Sequence, residues 1–204
     1  IKTEKGDLIM NLLNEAILEI SAAESSEAQL AKRGLHFSPN DYYPIIRHKA
    51  VVPELAMKIG AILGNGSPRC IESLGQIGRT FGIVSMIVEE FSDMFDKNEL
   101  RNRVENGCPP LPIIYALKDA KTRKKLSPLL INLIDKEAHA RVIEIVVSCS
   151  EVQDFIKNNI ALPINREILK IRRSTTLKTE GEMETLLLSL LDYLNDFSNT
   201  SPKV

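Results

Sequence analysis

The stretch FGIVSMIVEEFSDMFD, Phe81 to Asp96, decides how the whole chain is read. Its apolar residues recur at helical spacing, and most of it is apolar enough to be buried. Yet Glu89, Glu90 and Asp93 stand close together in it, and nowhere else in the chain are two acidic residues adjacent. Burying a carboxylate is costly unless it is paired. A helix that enters a core therefore needs a reason to carry three.

Upstream, the same helix carries a stripe of Gly75, Gly78, Gly82, Met86, Glu89 and Asp93. Steps of three and four residues keep all six to one face, with Glu90 about 100° round. Each glycine costs about 1 kcal/mol against Ala in a helix interior. Such a cost is reasonable where something must approach the backbone, either a partner helix or a ligand. Two carboxylates one turn apart beside a groove can ligate a hard cation, and Mg2+ typically bridges carboxylates to a substrate's phosphates. The plainer alternative puts Glu89 and Glu90 at the solvated end of the helix, paired with Lys97 or Arg101.

The rest of the chain is helical in pattern. Leu8 to Ile20 places Leu12, Leu13, Ala16, Ile17 and Ile20 on one face. Pro39 and Pro44 are expected to break the chain, and Pro53 to bend a long segment from Ile45 to Leu63. GNGSPRC reads as a turn and ENGCPPLP as the strongest break. Shorter helices are expected near 113–119 and 122–134, and a long one near 136–158. Pro163 starts another, and Glu180 to Phe197 forms the last. The tail SNTSPKV reads as frayed. No period-two strand pattern, internal repeat or low-complexity segment is visible. The expected architecture is all-α, a single-domain helical bundle over residues 1–204.

Composition narrows the function classes. Of 204 residues, 44% are hydrophobic and 26% charged, with 26 Lys+Arg against 27 Asp+Glu. That balance offers no bulk attraction to nucleic acid or to an anionic membrane. The basic tract KDAKTRKKL lacks interleaved aromatic residues, so nucleic-acid binding is not expected. No apolar run reaches the roughly 18 residues of a membrane span, and no signal peptide is visible, so a cytoplasmic location is expected. Cys70, Cys108 and Cys149 lie far apart and suggest free thiols. His36, His48 and His139 lack metal-site spacing, and His48 reads as a satisfied core or groove histidine. Arg172, Arg173 and residues 174–176 suggest a solvated helix end, and Asp192 with Asp196 a surface pair.

Read together, the flanks resemble a known family. The run from Gly75 to Leu117 is similar to the second aspartate-rich region of the trans-polyprenyl diphosphate synthases. There a glycine-containing helix carries F/Q-I-x-D-D-x-x-D, followed by L-P-x-x-x-A-L. MIVEEFSD places Glu89, Glu90 and Asp93 at the three acidic positions, and PLPIIYAL matches the later motif. YYPIIRHKAVVPELAMKIGAILGNG resembles the family's Lys-Thr helix, with Lys49 at the lysine and Ala50 at the threonine. The resemblance covers about residues 5–175.

It implies an isoprenoid-synthase bundle around a central cavity, in which Mg2+ holds an allylic diphosphate for attack by isopentenyl diphosphate. On that basis Glu89, Glu90 and Asp93 are expected metal ligands, and Lys49 a diphosphate-binding and catalytic residue. Arg101 and Arg103 are expected diphosphate partners, and Phe81 and Met86 line the apolar tunnel. A homodimer, or a heterodimer with a related subunit, is implied.

Three departures stand beside the likeness. No Asp-Asp pair occurs anywhere, so the family's first D-D-x-x-D helix, within roughly the N-terminal third of its domain, is not in this chain, which begins at Ile1. Glu89-Glu90 replaces Asp-Asp, adding a methylene to each arm. The family's lysine-containing loop is replaced by ELRNRVENGCPP. Three functions are therefore weighed: a Mg2+-dependent prenyltransferase, a non-catalytic or regulatory subunit of a heteromeric synthase, and a prenylating enzyme for a non-isoprenoid acceptor such as a peptide.

Overall fold

Eleven α-helices follow one another among the described residues, which are 4–33, 38–133, 136–173 and 182–199 of a computed structural model. No strand occurs among them. The helices are α1 (Glu4–Ala31), α2 (Pro39–Lys49), α3 (Val51–Leu63), α4 (Pro68–Phe95), α5 (Lys97–Glu105) and α6 (Leu111–Ala116). They continue as α7 (Ala120–Ile131), α8 (Lys136–Val147), α9 (Ser150–Ile156), α10 (Leu162–Arg173) and α11 (Glu182–Asn199). A π-helical turn, Lys157–Ala161, joins α9 to α10.

The all-α expectation holds, and α4 is its axis. Ser67 caps the helix by accepting from the Cys70 amide, and Pro68 supplies a first turn that needs no donor. Around α4 pack α2, α3, α5, α6, α10 and α11, while α1 lies across α2 and α3. Val84, Ile87, Phe91 and Met94 of α4 are buried in the main core with Leu100, Leu111, Ile113, Phe155 and Ile160. Burying one such side chain contributes about 1.5–3 kcal/mol.

The glycine stripe is explained by a partner helix. Gly75, Gly78 and Gly82 all face the α2–α3 junction and α3, and at Gly78 the approach is backbone to backbone.

Several boundaries differ from the sequence reading. The segment from Ile45 to Leu63 breaks at Ala50, not at Pro53. Pro53 is the third residue of α3, where a missing N–H costs no hydrogen bond. Pro44 lies inside α2, because burial of Tyr42, Ile45 and Ile46 outweighs the one bond lost. Helix α5 was not expected from the sequence, and the segment 136–158 divides at Ser148–Cys149. His36, residues 174–176, Glu180 and the tail from 200 onward lie outside the described residues, as does the side chain of Asp196.

Candidate functional site

At Gly82 helix α4 meets the start of α3, and its last turns carry bonds to α5 and α6. This change of neighbour decides which carboxylate turns inward. Glu90 is buried, Asp93 is half-buried and Glu89 is exposed. The sequence stripe put Glu89 and Asp93 on the glycine face with Glu90 to one side. The structure instead turns Glu90 to the interior, because the covering elements lie on Glu90's side of the helix.

Helix α5 supplies the partner. Asp96 starts it by accepting from the amides of Asn98 and Glu99. Gly107 ends it at a φ of 75°, a left-handed conformation that favours glycine. The Gly107 amide donates to Val104 and the Cys108 amide to Arg103, which closes the helix end. The chain then returns over α4, and Arg103 lies between the returning loop and the acidic helix. Its Nε donates to the Cys108 carbonyl at 3.0 Å. Its Nη1 donates to Asp93 Oδ2 at 2.5 Å, and its Nη2 lies 3.0 Å from each oxygen of Glu90.

Two more donors reach Glu90: the Tyr42 hydroxyl at 2.9 Å on Oε1, and the Leu111 amide at 2.7 Å on Oε2. Each oxygen thus accepts twice, which fills the acceptor capacity of a carboxylate. Burial pushes the Glu90 carboxyl up, against the downward pull of Arg103, the Leu111 amide and Tyr42. Burial works against the Arg103 charge, but Glu90 and Asp93 more than offset it and hold the guanidinium protonated. Burial, reinforced by the Glu90 charge, keeps the Tyr42 hydroxyl un-ionised.

Lys49, at the end of α2, is also engaged. It forms ion pairs with Glu27 and, at 2.9 Å, with Glu24, both on α1. Burial opposes its charge and the two glutamates outweigh that, so its pKa is raised. Glu27 also lies 3.3 Å from the Tyr42 hydroxyl, which links the Lys49 pairs to the Glu90 cluster. Lys49, Glu90, Asp93 and Arg103 are therefore gathered at one end of α4.

The other expected site residues lie apart from this network. Arg101 pairs with Glu105 across one turn of α5, at 3.7 Å, on the exposed side. Phe81 and Met86 are half-buried and pack against the main core. His48 is exposed and its Nδ1 lies 3.0 Å from Glu19, so it is a surface partner and not a core histidine. Arg172 bonds Glu184 of α11, and the three thiols are free.

Tyr42, Glu24, Glu27 and the Leu111 amide were not singled out from sequence. Tyr42 stood in the YYPII stretch, where nothing local points to a carboxylate 48 residues further along the chain. Glu24 and Glu27 lie in the polar second half of α1, where no periodic signal sets them off.

The residues present do not fit a Mg2+ ion. Glu90 has no free acceptor position, Asp93 is held by Arg103, and Glu89 points elsewhere. Among the described residues no three His, Cys, Asp or Glu side chains are placed to hold a metal. Two open pockets lie among the described residues. One of about 570 Å3 lies between α7 and α8, with Lys125, Leu129, Arg141 and Glu144 in its wall. One of about 70 Å3 lies where α1, α3 and α4 meet, beside Arg79. Neither is lined by an expected site residue. No helix among the described residues is long and apolar enough to cross a membrane.

Comparison with known proteins agrees with this architecture. A crystal structure of geranylgeranyl pyrophosphate synthetase from Pyrococcus horikoshii Ot3 superposes with a TM-score of 0.73 at 17% identity. The match covers 95% of this chain and 60% of that one, and at such identity it shows the shared fold. No curated protein matches the chain. The model of the polyprenyl synthetase family matches residues 2–148, which include the Lys49 helix, the acidic helix and the Leu111 turn that the fold brings together. The chain belongs to the polyprenyl synthetase family.

Proposed function

We propose that this chain serves prenyl transfer, the joining of isopentenyl diphosphate to an allylic diphosphate, as a non-catalytic or regulatory subunit of a heteromeric prenyl diphosphate synthase. The observation that supports this reading is the closed state of its acidic helix. Glu90 is saturated by Arg103, Tyr42 and the Leu111 amide, and Lys49 is spent on Glu24 and Glu27. Ionising an allylic diphosphate needs positive charge that is free to meet the leaving group. Here the charges meet each other. What the chain offers a partner is its family fold.

The test is incubation with labelled isopentenyl diphosphate, an allylic diphosphate and Mg2+. The chain is assayed alone and then mixed with a family synthase that carries both aspartate-rich motifs. The expected result is no elongated product from the chain alone, and a changed rate or product length in the mixture. Elongated product from the chain alone overturns the reading.

A second reading, catalysis by this chain, is favoured by one observation: the family-motif residues Lys49, Glu90 and Asp93 do gather at one end of α4 with Arg103. In it Glu89, Glu90 and Asp93 would hold Mg2+, and Lys49, Arg101 and Arg103 the diphosphates. Phe81 and Met86 would flank the growing chain in a cytoplasmic homodimer or heterodimer. It requires Arg103 to leave Glu90. Under it, Glu89→Ala abolishes turnover with helicity intact, and surviving turnover removes the assignment.

A further inference from the structure

The match between one guanidinium and two carboxylates extends beyond the question of catalysis. We propose that Arg103 is the resident counter-cation of the acidic helix, standing where a divalent ion would stand and making this end of the bundle independent of Mg2+. The proposal deepens the reading of the chain as a non-catalytic subunit. Its test uses metal binding and unfolding, not product formation, so either can fail without the other.

Three observations carry it. The first is geometric. Arg103 reaches Asp93 at 2.5 Å and both oxygens of Glu90 at 3.0 Å, so a single side chain bridges two carboxylates one turn apart. Bridging carboxylates is the task a metal performs at such a pair. A planar fork with five donors suits it, whereas the single ammonium of lysine does not. The second is enclosure. Only 8% of Glu90 is exposed, and its remaining acceptor positions are filled by Tyr42 and the Leu111 amide. Mg2+ demands near-octahedral geometry and gives up its waters reluctantly, so it needs room that this carboxylate lacks. The third is anchorage. Nε of Arg103 is tied to the Cys108 carbonyl, and the Cys108 amide is tied to the Arg103 carbonyl. The residue is thus fixed by the same turn that ends α5.

Charge supports the same conclusion. Two buried or half-buried carboxylates on successive turns repel, and removing them from water makes the repulsion stronger. A cation between them relieves that repulsion where the helix packs under α5 and α6, and here the cation is covalently part of the chain.

The experiment titrates the full chain with MgCl2 by calorimetry, and follows thermal unfolding by circular dichroism in MgCl2 and in EDTA. For the wild-type chain the melting midpoint is expected to be the same in both. Any calorimetric binding is expected to be unchanged by Glu90→Gln. Arg103→Met is expected to melt lower in EDTA and to recover several degrees in MgCl2, and Glu90→Gln in the same chain abolishes that recovery. If Arg103→Met is unfolded without metal, helicity is followed as MgCl2 is added, with the folded Glu90→Gln/Arg103→Met chain as control. Regained helicity supports the proposal. Saturable Mg2+ binding by the wild type that Glu90→Gln removes overturns it. So does an Arg103→Met chain on which MgCl2 has no effect.

Discussion

A Cβ placed on Gly78 would come within 2.5 Å of the Pro53 carbonyl oxygen and 2.8 Å of Glu54 Cα. Both are backbone atoms of α3, so neither can rotate away. The helices would have to part, and overpacking of this kind costs about 1–3 kcal/mol. Gly78→Ala is therefore expected to destabilise the protein by that amount, despite the gain in helix propensity. Gly60 is the internal control, because a Cβ there meets nothing within 4 Å. Gly60→Ala should be neutral or stabilising, by up to about 1 kcal/mol. Urea denaturation of both variants measures the difference, and equal effects would contradict the close approach.

Removing the Arg103 guanidinium leaves Glu90 buried with no counter-charge. Loss of one partner from a buried pair costs about 3–5 kcal/mol, and the Arg103 and Glu90 side chains are only 13% and 10% exposed. Arg103→Ala should fall in that range by chemical denaturation. Glu90→Gln/Arg103→Met should lose less than the sum of its single changes, since an unpaired charge no longer remains. Additive losses would show that the two residues are not coupled.

Asp96 starts the helix that delivers Arg103. Its carboxylate accepts from two amides, Asn98 at 2.8 Å and Glu99 at 3.0 Å. Asp96→Ala is expected to cost about 0.5–2 kcal/mol, and Asp96→Ser to recover most of it. Hydrogen exchange should show the loss concentrated in α5, and uniform loss across the bundle would argue against a local cap.

Acid sensitivity should follow Glu19. Hydrogen bonds from Arg79 hold its carboxyl below the ordinary 4.5, with burial opposing and His48 adding a smaller downward pull. A carboxyl lowered in the folded state contributes stability above its unfolded value and loses it as pH falls through the folded one. The wild-type chain should therefore lose this contribution below about pH 4.5. Arg79→Met should be less stable at pH 6, with the gap to wild type narrowing as pH falls toward 3. A constant gap would remove the pair from the account. Arg79 also donates to the Arg47 carbonyl, which does not titrate, so part of the gap should persist at low pH.

How much of this could be read in advance depends on the range of the interaction. Helix type and the main turns rest on neighbours three or four residues away and on Gly and Pro, so GNGSPRC and ENGCPPLP fall where the structure turns. Pro53 misled because a proline breaks a helix only beyond its first turn, and where α3 begins is decided at Ala50. The glycine stripe pointed correctly to something close, but its spacing could not distinguish a helix from a ligand.

By itself, the sequence determined an all-α chain of the polyprenyl synthetase family, with its one acidic pair on a glycine-lined helix. These are local or one-dimensional properties, fixed by periodicity and by the order of motifs. Only the tertiary structure decided that Glu90, and not Glu89, is the buried carboxylate, and that its partners are Arg103, Tyr42 and the Leu111 amide. Two residues adjacent on a helix differ by about 100° in direction, and which direction becomes interior depends on where α5 and α6 come to rest. That placement is set by the burial of Leu100 and Leu111 in the main core, contacts between segments distant in the chain that no local pattern encodes.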